Sequence, residues 1–199
     1  MWEIENSYYQ SGLELICGVD EAGRGPLAGP VCAAAVILPP NIEIPGLNDS
    51  KKLSDKKRRE LFPIIKEKAI AYSIAFADEK EIDQINILQA TLLAMERALN
   101  ALPVKPQFGL IDGNREKDFG IPVVTVIQGD SRSASIAAAS ILAKVTRDDY
   151  MLQLAQKYPQ YAFEIHKGYG TKAHYAALHE YGPCEAHRMT FLKKLYGTE

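Results

Sequence analysis

The run Gly18-Val19-Asp20-Glu21-Ala22-Gly23-Arg24-Gly25-Pro26-Leu27-Ala28-Gly29-Pro30-Val31 restricts the folds open to this chain more than any other stretch. Apolar Leu15 to Val19 reads as a strand that delivers two adjacent carboxylates. A turn-prone segment follows, and then Val31 to Leu38, continuous and apolar as strands covered on both faces are. Side chains alternate faces along a strand, so Asp20 and Glu21 are expected to reach one site only if the backbone bends, which Gly23 and Gly25 permit. Two carboxylates held together repel unless a cation separates them, and a hard divalent ion with oxygen ligands suits the pair. The alternative at this point is a solvated acidic hairpin tip. Arg24, set between glycines, favours the site, because exposed amides beside a guanidinium suit a phosphate.

Downstream, Pro39-Pro40 and Pro45-Gly46 mark a loop, followed by the densest basic stretch, Asn48 to Glu60. Ser54 is placed to cap a helix whose apolar face is Leu61, Ile64 and Ile65. Lys56 to Arg59 read as its wet face. Lys51 precedes the helix, in a polar loop where a phosphate contact is easy. Ala69 to Ala77 is a third strand, with Tyr72, Ile74 and Phe76 on one side. Asp78 and Glu79 then start helical sequence, and Ile85 to Leu102 carries Leu88, Leu92, Met95 and Leu99 at helical spacing as a core stripe. Pro103 and Pro106 end the helix, and two short strands, Phe108 to Ile111 and Ile121 to Ile127, complete the set. Three strands, then two separated by helices, predict an α/β fold with a mixed five-stranded sheet flanked by helices.

In such sheets functional groups gather at the carboxyl ends of strands. Asp20, Glu21, Asp112 and Asp130 are all expected there. Any one of them alone is an ordinary turn former, but four in that position match a two-metal phosphodiester hydrolase, in which cations about 3.5 to 4 Å apart stabilise the attacking and leaving oxygens. Mg²⁺ suits few protein carboxylates plus phosphate oxygens. Ser133 to Tyr158 reads as one long helix with its amino end beside Asp130. Ser133, Ala137, Ser140 and Lys144 share a stripe that would continue a polar, anion-attracting rail. Equally open is a reading in which Ser133 merely caps the helix and Lys144 pairs with Asp148. In the tail, Gly168 and Gly170 flank Tyr169 among Lys and His, which suits either a ring displayed for stacking on a base or sugar or a packed tyrosine in a small appendage. Thr171 is placed to cap a helix from Lys172 to Glu180. A boundary near Tyr158 divides a catalytic domain, 1–158, from a helical C-terminal extension, 159–199.

The bounds agree. With 199 residues, 47% hydrophobic and 24% charged, the chain suits one domain or a domain with an appendage. A net charge of -2 leaves any nucleic-acid contact to a local patch. Three cysteines without paired spacing argue against a disulfide framework and for free thiols in a reducing compartment, and no apolar run approaches the roughly 20 residues that span a bilayer, so a cytoplasmic protein with no membrane partner is expected. His166 and His174 make no recognisable metal cluster, and Gly23-Arg24-Gly25 lacks the spacing of a mononucleotide-binding loop.

Taken with Asn48-Asp49-Ser50-Lys51-Lys52-Leu53, Ile111-Asp112-Gly113-Asn114, Gly129-Asp130, Ala137 to Asp148 and His166 to His174, the opening run resembles bacterial ribonuclease HII, a likeness reaching from about Ile16 to Phe191. The resemblance implies a ribonuclease H-like fold with a small helical C-terminal extension. It also implies an endonuclease that cuts the RNA strand of RNA-DNA hybrids, and cuts duplex DNA on the 5′ side of a single embedded ribonucleotide, leaving 3′-hydroxyl and 5′-phosphate ends with Mg²⁺ or Mn²⁺. Residue by residue, it implies that Asp20, Glu21, Asp112 and Asp130 form the metal-binding catalytic set. Gly23, Arg24 and Gly25 would read the ribonucleotide through its 2′-hydroxyl, Tyr169 would stack on the following sugar, and Lys51 would meet the phosphate backbone. Its partners would be RNA-DNA hybrid and ribonucleotide-containing duplex DNA, bound by a monomer. The rivals are a ribose-indifferent nuclease of the same fold and a non-catalytic hybrid-binding module. Leu192 to Glu199 carries no assignable motif.

Overall fold

The computed structural model describes residues 1–115 and 117–197. Five strands, β1 (Ile16–Ala22), β2 (Val31–Ile37), β3 (Ala71–Ala77), β4 (Phe108–Asp112) and β5 (Val123–Val126), form one sheet in the order β3-β2-β1-β4-β5. The β1-β2 and β2-β3 pairs are antiparallel, whereas β1-β4 and β4-β5 are parallel, so the mixed five-stranded sheet is as the sequence predicts. Seven α-helices accompany it among the described residues: α1 (Glu3–Tyr9), α2 (Asp55–Lys68), α3 (Glu79–Asn100), α4 (Ala134–Lys157), α5 (Phe163–His166), α6 (Lys172–Tyr181) and α7 (Lys193–Tyr196). None of the described helices is long and apolar enough to cross a membrane.

The alternation of β2 explains the layers. Val31, Ala33, Ala35 and Ile37 pack with Ala90, Ala94, Met95 and Ala98 of α3, while Cys32, Ala34 and Val36 pack with Ala138, Ala139, Ile141 and Leu142 of α4 and Leu61 and Ile65 of α2. Small side chains on both surfaces let the layers close. At Gly18 the two backbones come close together, since a Cβ there would lie 2.1 Å from the Ser135 carbonyl carbon of α4. A third cluster joins Leu27, Ala28, Met151 and Ala155 to Tyr161, Phe163 and Leu178, which seats the C-terminal residues on the end of α4 and on the segment after β1.

Helix α3 begins at Glu79, as the helical sequence from Asp78 and Glu79 predicts, with Asp78 and Glu81 forming a capping box; the kink at Asn86 (φ 66°) is the difference from expectation, and the Asn86 side chain caps the continuation by accepting from the Leu88 and Gln89 amides. The acidic N-terminus forms α1 and buries Glu5 completely.

Candidate metal centre and substrate corner

The β1-β4 register pairs Val19 with Ile111, so Asp20 and Asp112 are the next residues on neighbouring parallel strands. One oxygen from each of Asp20, Glu21 and Asp112 lies within 4.8 Å of the others. The expected bend between the two adjacent carboxylates is corrected: β1 runs on through Ala22, with Asp20 opposite Ala34 and Glu21 opposite Ala33 on β2. Convergence comes instead from side-chain reach at the place where β4 ends and β1 continues with only β2 beside it. Asp20 accepts the Glu21 amide at 2.6 Å, and Glu21 is drawn toward Arg24 Nη1 at 3.4 Å. The chain bends only afterwards, at Gly23, where φ is +97°.

The electrostatics are those of a cation site. Burial, reinforced by Glu21 and Asp112, pushes the Asp20 carboxyl well above the usual carboxylate range. Burial also raises Glu21, against the opposing pull of Arg24. Asp112 is raised by burial too; the Gly129 amide, donating to Oδ1 at 2.7 Å, opposes this and the charge of Asp130 adds to it. Three carboxyl groups that resist ionising together, with converging oxygens, suit a hard divalent ion, whose charge would remove the mutual repulsion. Asp130 stands outside this trio, bound to Lys51 Nζ at 3.2 Å. Burial lowers the Lys51 ammonium, but Asp130, Asp20 and Asp112 outweigh it and the net shift is upward. A cleft of about 200 Å³ opens beside Glu21, Arg24, Asp112, Asn114 and Arg115.

The structure sorts the remaining candidates. Gly25 lies under the Tyr169 ring, a Cβ there being 3.5 Å from Cε1, so the glycine corner and the tyrosine loop meet; Tyr169 is 45% exposed. Ser140 shares a hydrogen bond with Ser50 at 2.5 Å and helps hold the Asp20 charge. Lys144 takes the ion-pair alternative, bonding Asp148 Oδ1 at 2.8 Å. The expectation that Ser133 faces substrate is corrected. Ser133 is fully buried, caps α4 by accepting from Ile136, and donates to Glu5 Oε1, which also takes the Ser135 amide. The chain's own carboxylate thus occupies the helix end that was expected to attract phosphate.

Sequence reasoning missed two fully enclosed arginines. Arg188 donates to Gly29, Arg24 and Gly23 carbonyls at 2.9, 2.9 and 2.6 Å, and Arg147 to Pro30, Lys167 and Ala28 carbonyls at 3.0, 3.1 and 3.1 Å. Burial pushes both guanidiniums down, yet each is held by acceptors that have no proton to give. Gly23 is glycine for a second reason: a Cβ would meet Arg147 Nε at 1.9 Å. The available signal was a corner of carbonyls lacking strand partners, which needs donors from elsewhere.

The family model for ribonuclease HII matches residues 17–194, a span containing Asp20, Glu21, Asp112 and Asp130, the corner, Lys51 and Tyr169. The chain belongs to the ribonuclease HII family. Ribonuclease HII of Dechloromonas aromatica is 59% identical over 89% of this chain and 90% of its own, and that of Caldicellulosiruptor saccharolyticus 54% identical over 98% and 95%. Among solved structures, ribonuclease H2 from Pyrococcus horikoshii is 30% identical with a TM-score of 0.73, covering 88% of this chain and 93% of that one. A manganese complex of Bst-RNase HIII shares the fold at 21% identity and a TM-score of 0.61, covering 87% and 65%. The ribonuclease HII reading of the sequence and its ribonuclease H-like fold are therefore both found.

Proposed function

We propose that the protein is a metal-dependent endonuclease that hydrolyses the RNA strand of RNA-DNA hybrids and cuts duplex DNA 5′ of a single embedded ribonucleotide. The observation that carries this reading is the seam at one strand end: the oxygens of Asp20 and Glu21, joined by Asp112 from the neighbouring strand, converge just before the Gly23–Gly25 corner, against which the Tyr169 ring stands. Mg²⁺ or Mn²⁺, when bound, supplies the positive charge that stabilises the attacking and leaving oxygens of phosphodiester hydrolysis. Asp20, Glu21 and Asp112 hold one such ion. Asp130, steadied by Lys51, helps place the second or the attacking water.

Hydrolysis joins a water oxygen to phosphorus and breaks the bond to O3′, leaving a 3′-hydroxyl and a 5′-phosphate. Ribose differs from deoxyribose only in its 2′-hydroxyl, so the discriminating contact has to come close to the sugar. Gly23 and Gly25 allow that approach, Arg24 neutralises a phosphate, Tyr169 tests the next sugar by shape, and Lys51 meets the backbone. Ser140 orders Asp20 and Lys144 borders the groove. The protein acts as a monomer, and the free thiols of Cys17, Cys32 and Cys184 suit the reducing cytoplasm.

The test is cleavage of duplex DNA carrying one ribonucleotide with Mg²⁺ or Mn²⁺ present, beside an all-DNA control. One cut 5′ of the ribonucleotide, lost in Asp112→Asn, is the expected result. Equal cleavage of the control would show a nuclease indifferent to ribose, and binding without turnover a hybrid-binding module.

A further inference from the structure

Beneath the tyrosine loop lie three buried histidines that the hydrolysis does not use: His166 (8% exposed), His174 (0%) and His187 (3%). Their proton positions follow from backbone groups of fixed polarity. His174 Nδ1 lies 2.9 Å from the Tyr169 carbonyl, which can only accept, so Nδ1 carries the proton. At the far end the Cys184 amide donates to His187 Nδ1 at 2.9 Å, so that nitrogen is the acceptor. The Cys184 carbonyl, 3.3 Å away, already receives the His187 amide at 3.0 Å. His187 in its neutral form must then carry its proton on Nε2, and that nitrogen lies 3.0 Å from His174 Nε2, the one imidazole nitrogen of His174 with a free lone pair. Read from either end, the chain of donors is the same: Cys184 amide to His187, His187 to His174, His174 to the Tyr169 carbonyl.

His166 closes the other side of the loop. Its Nε2 meets the Tyr161 carbonyl at 2.8 Å and therefore donates, which leaves Nδ1 to accept the Gly168 amide at 3.2 Å. The His166 and His174 rings stack with centroids 4.5 Å apart, enclosed by Tyr161 and Phe163. Two neutral imidazoles thus hold the backbone immediately before Tyr169 and at Tyr169 itself, and the Gly168 carbonyl accepts the Leu27 amide of the corner at 2.8 Å.

We infer that His174, His187 and His166 are positioning residues for Tyr169: a relay of two imidazoles, His187 and His174, with the His166 ring stacked on it, all in fixed tautomers, that sets where the sugar-stacking ring stands against Gly25. This rests on the reading in which Tyr169 contacts substrate. The relay has no place for a further proton, because one added to His174 faces the His187 proton, and turning His187 over faces the Cys184 amide. Burial, with neighbouring imidazoles opposing charge on His174 and His187, lowers all three, His187 to about 4. The charged groups near them are Glu164 and Lys167, both acting on His166; Cys184, beside His187 Nδ1, and Tyr161 are the other titratable neighbours.

The first test needs no variant. Imidazole ¹⁵N spectra of the wild-type protein at pH 7 should show the proton on Nδ1 of His174 and on Nε2 of His187 and His166; the opposite tautomer or a charged ring at any of the three overturns the relay. The second is a cycle of His187→Gln and Tyr169→Ala, with KM and kcat measured on duplex DNA holding one ribonucleotide. His187→Gln should raise KM about tenfold with kcat within about twofold, and should cost less than about twofold when Tyr169 is already Ala. An equal loss in both backgrounds would mean that His187 acts through general stability, and overturns the positioning role alone. If Tyr169→Ala leaves KM unchanged, the substrate reading of Tyr169 falls and the positioning role falls with it, whatever the tautomers.

Discussion

Neutralising one carboxylate of the centre should stabilise the metal-free protein while abolishing its activity. Asp20, Glu21 and Asp112 bring oxygens within 4.8 Å of one another. At that separation two unit charges repel by about 3.5 kcal/mol at an effective dielectric constant of about 20. Partial exposure of Asp112, screening by water, and loss of its attraction to Lys51 reduce the net gain from Asp112→Asn to roughly 1–2 kcal/mol. The amide oxygen can still accept the Gly129 N–H, so no bond is forfeited there. For a chain of this length the gain corresponds to a rise of about 2–8 °C in melting temperature. The sign with pH follows from the upward shifts of all three carboxyls: the folded state holds their protons more tightly than the unfolded chain, so this contribution favours folding below about pH 4 and is lost as pH rises through the folded values. Thermal melts of wild type and Asp112→Asn, with chelator and with Mn²⁺ across pH 5 to 8, are the assay. The wild-type deficit should widen toward pH 8 and close on adding Mn²⁺, which at a hundred times its Kd contributes about 2.7 kcal/mol. A less stable metal-free variant, or equal stabilisation of both proteins by Mn²⁺, would refute the picture of a repelling site relieved by a cation.

Three further outcomes concern the frame. Arg188→Lys leaves one ammonium where three corner carbonyls now receive a guanidinium, and should cut activity on a single embedded ribonucleotide at least tenfold while lowering stability by about 2–4 kcal/mol, read by urea unfolding. Gly18→Ala places a methyl 2.1 Å from the Ser135 backbone and should cost more than about 3 kcal/mol, visible as loss of soluble protein; a normal melt would show that α4 has room to move. Glu5→Ala removes the acceptor for Ser133 Oγ and the Ser135 amide and should cost about 1–2 kcal/mol in a thermal melt, with kcat per folded molecule unchanged.

Much of the architecture was legible because periodicity and breakers reported it locally. The β2 run, the Tyr72, Ile74 and Phe76 face of β3 and the alanine-rich α4 all fall where the pattern put them. What escaped was long-range. Nothing near Glu5 in sequence says that it will cap a helix 128 residues later. Arg147 and Arg188 carry no local signal either, because their guanidiniums are spent on backbone carbonyls that only the folded corner collects. Asp20, Glu21 and Asp112 converge without the expected bend, because the parallel register with β4 brings Asp112 alongside Asp20, whereas Asp130 lies outside the trio.

On the proposed reading, that register also bears on why selection and chemistry would share one strand end. β1 holds Asp20 and Glu21 by pairing with β2 on one side and β4 on the other, and the next residues leave the sheet through Gly23 into carbonyls clamped by Arg188 and Arg147. Between Glu21 and Gly25 lie only three residues, at most about 13 Å of extended chain, and both ends are fixed by buried partners. A sugar seated at the corner is therefore held at a set distance from the carboxylates, and the phosphate on its 5′ side arrives with no independent search. The Tyr169 loop adds a second fixed point, tied to the same corner through the Gly168 carbonyl and the Leu27 amide. Loosening either tether changes which phosphate reaches the centre as well as how often one does, so on the proposed reading errors in cleavage position, and not merely slower cleavage, are what damage to this corner should produce.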